Sequence, residues 1–258
     1  MLLQDKVVLI TGSTTGIGES SVRRAVAEGA KVMVHGRRAE AAQALCAELG
    51  ENTHYVIGDL GDPAVCAEVV QATVTHFGAL HCVVNNAALT TRSNLAASDV
   101  AMFERIMSVN LRAPMLIIRE AVPHFRRQGG GTILNIGSIN ALSGEPNLLV
   151  YSMSKGGMQT MTRNLANALA GEKIRVNQLN VGWTTTPNEI ALKEREGLPH
   201  GWQDSVPKVY APFGKLFTPE QVASHVVFWI SDESYPTNGA VYELDQTSPY
   251  GRNPTKEF

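Results

Sequence analysis

Tyr151 and Lys155 stand four residues apart, the spacing at which two side chains of a helix share one face. A free tyrosine has a pKa of about 10 and is a poor base at neutral pH. Bringing it to about 7 takes about 4 kcal/mol, and one cation at about 4 Å in a partly shielded site supplies about that much. A phenol beside an ammonium is therefore equipped for proton transfer. Thirteen positions before Tyr151, Ser138 follows the strand-like run Thr132–Ile136. At the C-terminal edge of a parallel sheet its hydroxyl would face a ligand crevice.

A second group of residues lies near the start of the chain. Gly12-Ser13-Thr14-Thr15-Gly16-Ile17-Gly18 follows a first strand ending at Thr11 and precedes a helix expected from Glu19. Such a turn lets backbone pass close to a pyrophosphate and aims a helix N-terminus at it. Glycine suits positions where a Cβ would block positive φ or close approach. The spacing is GxxxGxG, one residue different from GxGxxG. A plain strand–helix turn is the alternative, and the place directly after the first strand favours phosphate.

The scaffold that would position these groups is legible as alternating β-branched runs and helix-length segments. Strands are predicted at Lys6–Thr11, Lys31–His35, Thr53–Gly58, His81–Asn85, Gly131–Gly137, Lys173–Asn180 and Ala240–Asp245. Several are near-continuous apolar runs, as in strands covered on both faces. After Pro63, Val65, Val69, Thr73 and Phe77 recur every four residues and give a helix one apolar stripe; Asp62 and Pro63 suit its N-cap and first position. The pattern predicts an α/β fold: a doubly wound, parallel, seven-stranded sheet, Rossmann-like, in three α/β/α layers. No internal boundary is visible, so residues 1–258 read as a single domain. Pro187–Pro219 reads as one long irregular stretch, with residues 187–217 as a substrate lid. Residues 246–258 form a polar, turn-rich tail.

Charge is nearly balanced, 22 Lys+Arg against 24 Asp+Glu, which gives no basic surface for nucleic acid. Apolar runs such as Val7–Ile10 and Val226–Ile230 are too short to span a bilayer. The opening MLLQDKVVLITG lacks a secretory layout, so a soluble cytoplasmic protein is expected. Cys46, Cys66 and Cys82 are odd in number and widely spaced and read as structural thiols. The seven histidines form no ligand pattern, and no catalytic metal is expected.

The segments TGSTTGIG at 11–18, Asp59-Leu60, NNAA at 85–88, Asn110, Ser138, Tyr151-Ser-Met-Ser-Lys155, and Gly182 with Thr186 occur in an order and spacing by which the chain resembles the short-chain dehydrogenase/reductase family, in its single-domain branch. The resemblance implies that Asp59, next to Leu60, accepts a hydrogen bond from the adenine amino group. Ile17 and the glycines would contact phosphate and ribose, and Asn86 and Ala87 the adenosine. Gly182, Thr184 and Thr186 would border the cofactor, Thr186 at its carboxamide. Ser138 would hold the reacting oxygen and Tyr151 would donate or accept its proton. Lys155 would also hold the nicotinamide ribose, and Asn110 would position a water of the proton relay. Three places depart from the family pattern: Ala88 stands where glycine is usual, Val181 where proline precedes Gly182, and Gln246-Thr247 where two glycines often follow Asp245.

Cofactor choice is expected at the end of the second strand. An acidic residue there would bond both ribose hydroxyls of NAD; this chain has Gly36, then Arg37 and Arg38. Guanidinium suits a 2′-phosphate, which favours NADP(H). Thr15 stands where many NADP-preferring relatives carry a further basic residue, so NAD(H) stays possible. Substrate contacts are expected from Ser138, Ser143, Gly144 and Trp183, and from Glu189, His200, Trp202 and Gln203 of the lid. This polar mix suits a sugar or polyol, converted between carbonyl and secondary alcohol. A 3-oxoacyl-carrier-protein reductase, docking its carrier on Lys193, Arg195 and Lys208, is the enzymatic alternative. A non-catalytic NADP(H)-sensing protein is the alternative of another class. The resemblance also implies a homodimer or homotetramer through helices near Phe103–Gln128 and Val150–Ala170, with Met107, Met115, Leu116, Met158 and Met161 either at the interface or in the core.

Overall fold

The computed structural model describes residues 1–247. Seven parallel strands, β1 (Val7–Ile10), β2 (Lys31–Gly36), β3 (Thr53–Ile57), β4 (Cys82–Asn85), β5 (Gly131–Ser138), β6 (Ile174–Val181) and β7 (Val241–Leu244), form one sheet in the order β3-β2-β1-β4-β5-β6-β7. The order reverses between β1 and β4, and the crevice beyond the strand ends at such a switch point is where open α/β sheets bind ligands. Each strand lies within a residue or two of its predicted span, because apolar β-branched runs buried on both faces leave little choice of period.

Alternation along β1 divides the core into two layers. Val8 and Ile10 point to one face with Val22, Leu45 and Val226; Leu9 points to the other with Val69, Ile117 and Leu169. The first layer is covered by α1 (Gly16–Ala27), α2 (Ala39–Leu49) and α9 (Pro219–Ile230), the second by α3 (Pro63–Phe77), α5 (Ala113–Gln128) and α7 (Leu149–Leu169). Each fully buried Val, Leu or Ile contributes about 1.5–3 kcal/mol. Asp62 caps α3, its carboxylate accepting from Ala64 N–H, with Pro63 in the first turn.

Three shorter helices stand at the ligand end: α4 (Val100–Met107), α6 (Asn140–Ser143) and α8 (Pro187–Arg195). The last corrects the expectation of an irregular stretch from Pro187 to Pro219. Thr186 caps α8 by accepting from Glu189 N–H, and Pro187 starts it. No residue of α8 is fully buried, so the apolar spacing that betrays a helix is missing there. Of the residues left open between interface and core, Leu116 is 8% exposed and Met158 is fully buried in this chain's own core. Most of the 246–258 tail lies outside the described residues. Its first residue, Gln246, donates to Lys215 O at 2.7 Å and accepts from Phe213 N–H at 3.1 Å.

Buried amides tie α7 to the sheet. Asn85 donates to Asn135 Oδ1 at 2.8 Å, and Asn135 to Thr162 Oγ1 of α7 at 2.9 Å. Gln178 donates to Asn180 Oδ1 at 2.7 Å, and Asn180 to Gln159 Oε1 of α7 at 3.3 Å. Such bonds are directional where apolar packing is not, and they fix the rotation of the helix that carries Tyr151 and Lys155.

Candidate active site

A cleft of about 1360 Å³ opens at the C-terminal ends of the strands. At one end the turn from β1 into α1 forms its floor. Gly12 has φ +61°, and a Cβ on it would lie 2.7 Å from Ala87 Cα. A Cβ on Gly18 would lie 2.4 Å from Gly12 O. Thr15, the N-cap of α1, makes no side-chain cap, so the first N–H groups of that helix meet the cleft with the positive end of its dipole. Thr14, Thr15, Gly16, Ile17 and Gly18 line this wall with Gly36, Arg37, Arg38, Asp59, Leu60, Asn86 and Ala87. A turn with no room for a side chain at Gly12 and Gly18, leading to an uncapped helix start, fits the pyrophosphate of a dinucleotide. Ser13 is the exception among the turn residues: it is buried behind the wall and donates to Ile10 O at 2.7 Å. Ala88 adopts the conformation that alanine tolerates, for Asp5 and Lys173 are the only non-glycine residues with positive φ among those described.

Asp59 is engaged more tightly than its sequence position suggests. Arg105 of α4 grips both its oxygens, at 3.0 and 2.6 Å, and Gly61 N–H donates to it at 2.8 Å. The Arg105 guanidinium holds its carboxyl below the usual range. An adenine amino group would share this carboxylate with Arg105, a partner the sequence did not reveal.

At the other end, Ser138, Tyr151 and Lys155 converge. Tyr151 is 9% exposed and Lys155 1% exposed. Burial raises the Tyr151 pKa, a hydrogen bond with Ser138 opposes that rise, and the Glu189 charge adds to it. Burial also pushes Lys155 down to about 8. Its ammonium lies 5.7 Å from the centre of the Tyr151 ring and donates to Ile136 O at 2.6 Å. The expected geometry of one shared helix face is present, and desolvation is the largest influence on the phenol.

Asn110 does not reach the cleft. It sits fully buried in a π-helical turn, Ser108–Arg112, between α4 and α5. Its Oδ1 accepts from Leu89 N–H at 2.8 Å, and its Nδ2 donates to Leu89 O at 3.0 Å and to Ser154 Oγ at 3.1 Å. Three protein partners thus fix the amide between Leu89 and α7.

Beyond β6, Val181 is buried and stays in register with Ser138, while Gly182 N–H bonds Leu244 O at 2.8 Å. Gly182, Trp183, Thr184, Thr186 and Glu189 line the cleft; Ser143, Gly144, His200, Trp202 and Gln203 do not. Ser143 and Gly144 end α6. His200 is 96% exposed at its side chain and pairs with Glu194. Trp202 packs behind Trp183, ring centres 5.2 Å apart, in a small cluster with Val206, Ala211 and Leu216. Residues that sequence reading missed fill this end instead, Arg92, Asn140, Glu145 and Asn147, beside Lys193, which it had singled out only for docking a carrier. Arg92 bonds Glu196 at 2.8 Å, and Glu189 accepts from Trp183 Nε1 at 2.9 Å. Glu145 Oε2 is buried without a partner. The polar loop between β5 and α7 was the only signal for Glu145.

Residues 6–197 match the family model described as short chain dehydrogenase. The chain is 34% identical over 242 residues to a 3-alpha-(or 20-beta)-hydroxysteroid dehydrogenase of Mycobacterium tuberculosis, covering 93% of this chain and 88% of the relative. It is 34% identical over 194 residues to a probable galactose dehydrogenase of Rhizobium meliloti, covering 74% and 76%. A crystal structure of a 3-ketoacyl-(acyl-carrier-protein) reductase from Brucella melitensis, complexed with NADH, superimposes with a TM-score of 0.84 at 31% identity, covering 94% of this chain and 98% of the other.

Proposed function

The chain belongs to the short chain dehydrogenase family, and from that premise we propose that this NAD(P)-dependent oxidoreductase interconverts a carbonyl and a secondary alcohol on a polar, hydroxylated substrate such as a sugar or polyol, with NADP(H) preferred. One observation carries the substrate class. Glu145 Oε2 is buried and unpartnered in a wall that also holds Asn140, Asn147, Asn188 and Glu189. A buried carboxylate oxygen without a donor is costly; the hydroxyls of a polyol supply donors, and an acyl chain has none besides the reacting one. The galactose dehydrogenase relative agrees with this choice. Of the cations that would dock an acyl carrier, Lys193, Arg195 and Lys208, only Lys193 lines the cleft, and it is paired with Glu196 at 2.8 Å.

Coenzyme preference follows from Gly36. A Cβ there would lie 2.5 Å from Thr14 Cγ2, so an acidic side chain suited to the NAD ribose would displace Thr14. Arg37 and Arg38, exposed on the cleft wall, offer guanidinium to a 2′-phosphate instead.

When bound, the dinucleotide supplies or takes the hydride. Tyr151 gives its proton to the oxygen of the substrate in reduction and takes it back in oxidation. Ser138, hydrogen-bonded to Tyr151, holds that same oxygen. Lys155 favours the ionised phenol by its charge. Asn110 acts at one remove: through Ser154, whose hydroxyl donates to Tyr151 O at 2.6 Å, it sets the turn of α7 on which Tyr151 stands.

The test is a panel of sugars, polyols, steroid alcohols and an acyl-carrier substrate, each with NADP(H) and NAD(H), followed by reduced-nicotinamide absorbance. The highest kcat/KM is expected on a polyhydroxylated compound, with NADP(H) favoured at least about tenfold, the worth of one charge-assisted hydrogen bond. Best turnover on the acyl carrier, or a preference for NAD(H), contradicts the reading. Binding of dinucleotide without turnover anywhere on the panel would favour a sensing protein.

A further inference from the structure

Four of the six residues of β2 are Lys, Val, Met and Val, yet the fifth is His35, 2% exposed. Its ring lies between two segments that meet at the dinucleotide end of the cleft. Gly12 N–H points at Nδ1, N to N 3.2 Å, and Nε2 lies 3.2 Å from Gly58 O just after β3. Its backbone is tied to the same turn: Ser13 N–H donates to His35 O at 2.8 Å, and His35 N–H donates to Ser13 Oγ at 3.1 Å.

Only one form of the imidazole satisfies both ring contacts. Gly12 N–H is a donor and needs a lone pair on Nδ1; Gly58 O is an acceptor and needs a proton on Nε2. The opposite tautomer would set two donors against each other at Gly12 and two acceptors at Gly58. The imidazolium would keep the Gly58 bond and lose the one to Gly12.

We propose that His35 is a positioning residue for the dinucleotide: as the neutral, Nε2-protonated imidazole it accepts the Gly12 N–H and thereby holds the phosphate-binding turn in its cofactor-ready shape. Gly12 is the residue whose φ of +61° brings the turn against Ala87, so a displacement there passes directly into Ser13 and Thr14, the next residues of the turn. The charged groups facing the ring are Asp59, from the segment after β3, and Arg37, at the end of its own strand; they act in opposite senses. The turn itself contributes hydroxyls and no charge. Burial dominates and pushes the ring down to about 4, consistent with a neutral histidine across the physiological range.

Nitrogen-15 NMR of histidine-labelled protein, together with calorimetric titration of NADP+ and NAD+, tests this. The wild-type spectrum should show His35 with its proton on Nε2, unchanged from about pH 8 to about pH 5, past the ordinary histidine value. His35→Leu, which keeps bulk but has no acceptor, should weaken dinucleotide binding roughly tenfold. His35→Asn, whose Oδ1 replaces Nδ1 as acceptor, should recover affinity to within about threefold of wild type. A proton on Nδ1, titration near the ordinary value, or wild-type affinity in His35→Leu overturns the proposal, as does an Asn variant that binds no better than the Leu variant. The NMR arm needs no variant, so a His35→Leu chain that fails to fold does not spare the proposal.

Discussion

At the scale of single residues, the chemistry rests on two buried groups that pull stability and activity apart. Lys155 is held at about 8 against an ordinary 10.5 by desolvation alone. A base whose pKa is lowered on folding destabilises the fold when it must carry charge: the penalty is absent above the unfolded value, grows as pH falls from 10.5 to 8, and is complete below 8. Replacing the ammonium by an apolar chain should therefore stabilise the protein. Lys155→Met is expected to gain roughly 1–3 kcal/mol at pH 7, after losing its bond to Ile136 O, with the gain shrinking above pH 8. Turnover should fall roughly a hundredfold or more. Urea denaturation at two pH values and a turnover assay check both; a variant less stable than wild type at pH 7 would remove the argument from desolvation. The pair Tyr151–Lys155 was legible from its four-residue spacing. What spacing does not reveal is desolvation, a property of the surrounding walls, which acts to raise the tyrosine pKa.

At the scale of elements, the seven strands were readable because each is an apolar run of fixed period. The lid was not. Helix α8, PNEIALKER, buries no residue fully, and only its Thr186–Pro187 start betrays it. Trp202 looked like a substrate contact because it stood in the lid, yet the chain turns it inward onto Trp183. Its cluster with Val206, Ala211 and Leu216 is separate from the two layers on the sheet, so residues 187–217 have a small core of their own. Such satellite clusters open locally without global unfolding. Trp202→Ala should raise the rate of proteolytic cleavage within residues 187–217 at least about tenfold, while the unfolding midpoint of the sheet stays close to wild type. Cleavage at the wild-type rate would show that the aromatic stack does not hold this segment.

At the scale of the whole molecule, acid stability reflects groups that the fold charges or neutralises. His35 has a folded value of about 4 against an unfolded 6.5, so its stabilising neutrality is intact above 6.5 and is lost progressively as pH falls toward 4. Asp59, lowered by Arg105, contributes above the ordinary carboxylate value and loses that contribution below it. Between pH 7 and pH 4.5 the histidine alone should remove roughly 2–3 kcal/mol. Denaturation curves at the two pH values should show that loss in wild type and a smaller one in His35→Asn; equal losses would count against the buried neutral ring. The same fold-wide arrangement, a dinucleotide wall on one side of the switch point and Ser138, Tyr151 and Lys155 on the other, underlies the proposed reaction. Tyr151→Phe tests it most directly, because it removes one hydroxyl and leaves the walls in place. Calorimetry should give a dinucleotide Kd within about threefold of wild type while turnover on the best substrate drops roughly 10²- to 10⁴-fold. Turnover within tenfold of wild type, at unchanged Kd, would contradict Tyr151 as the proton-transfer group.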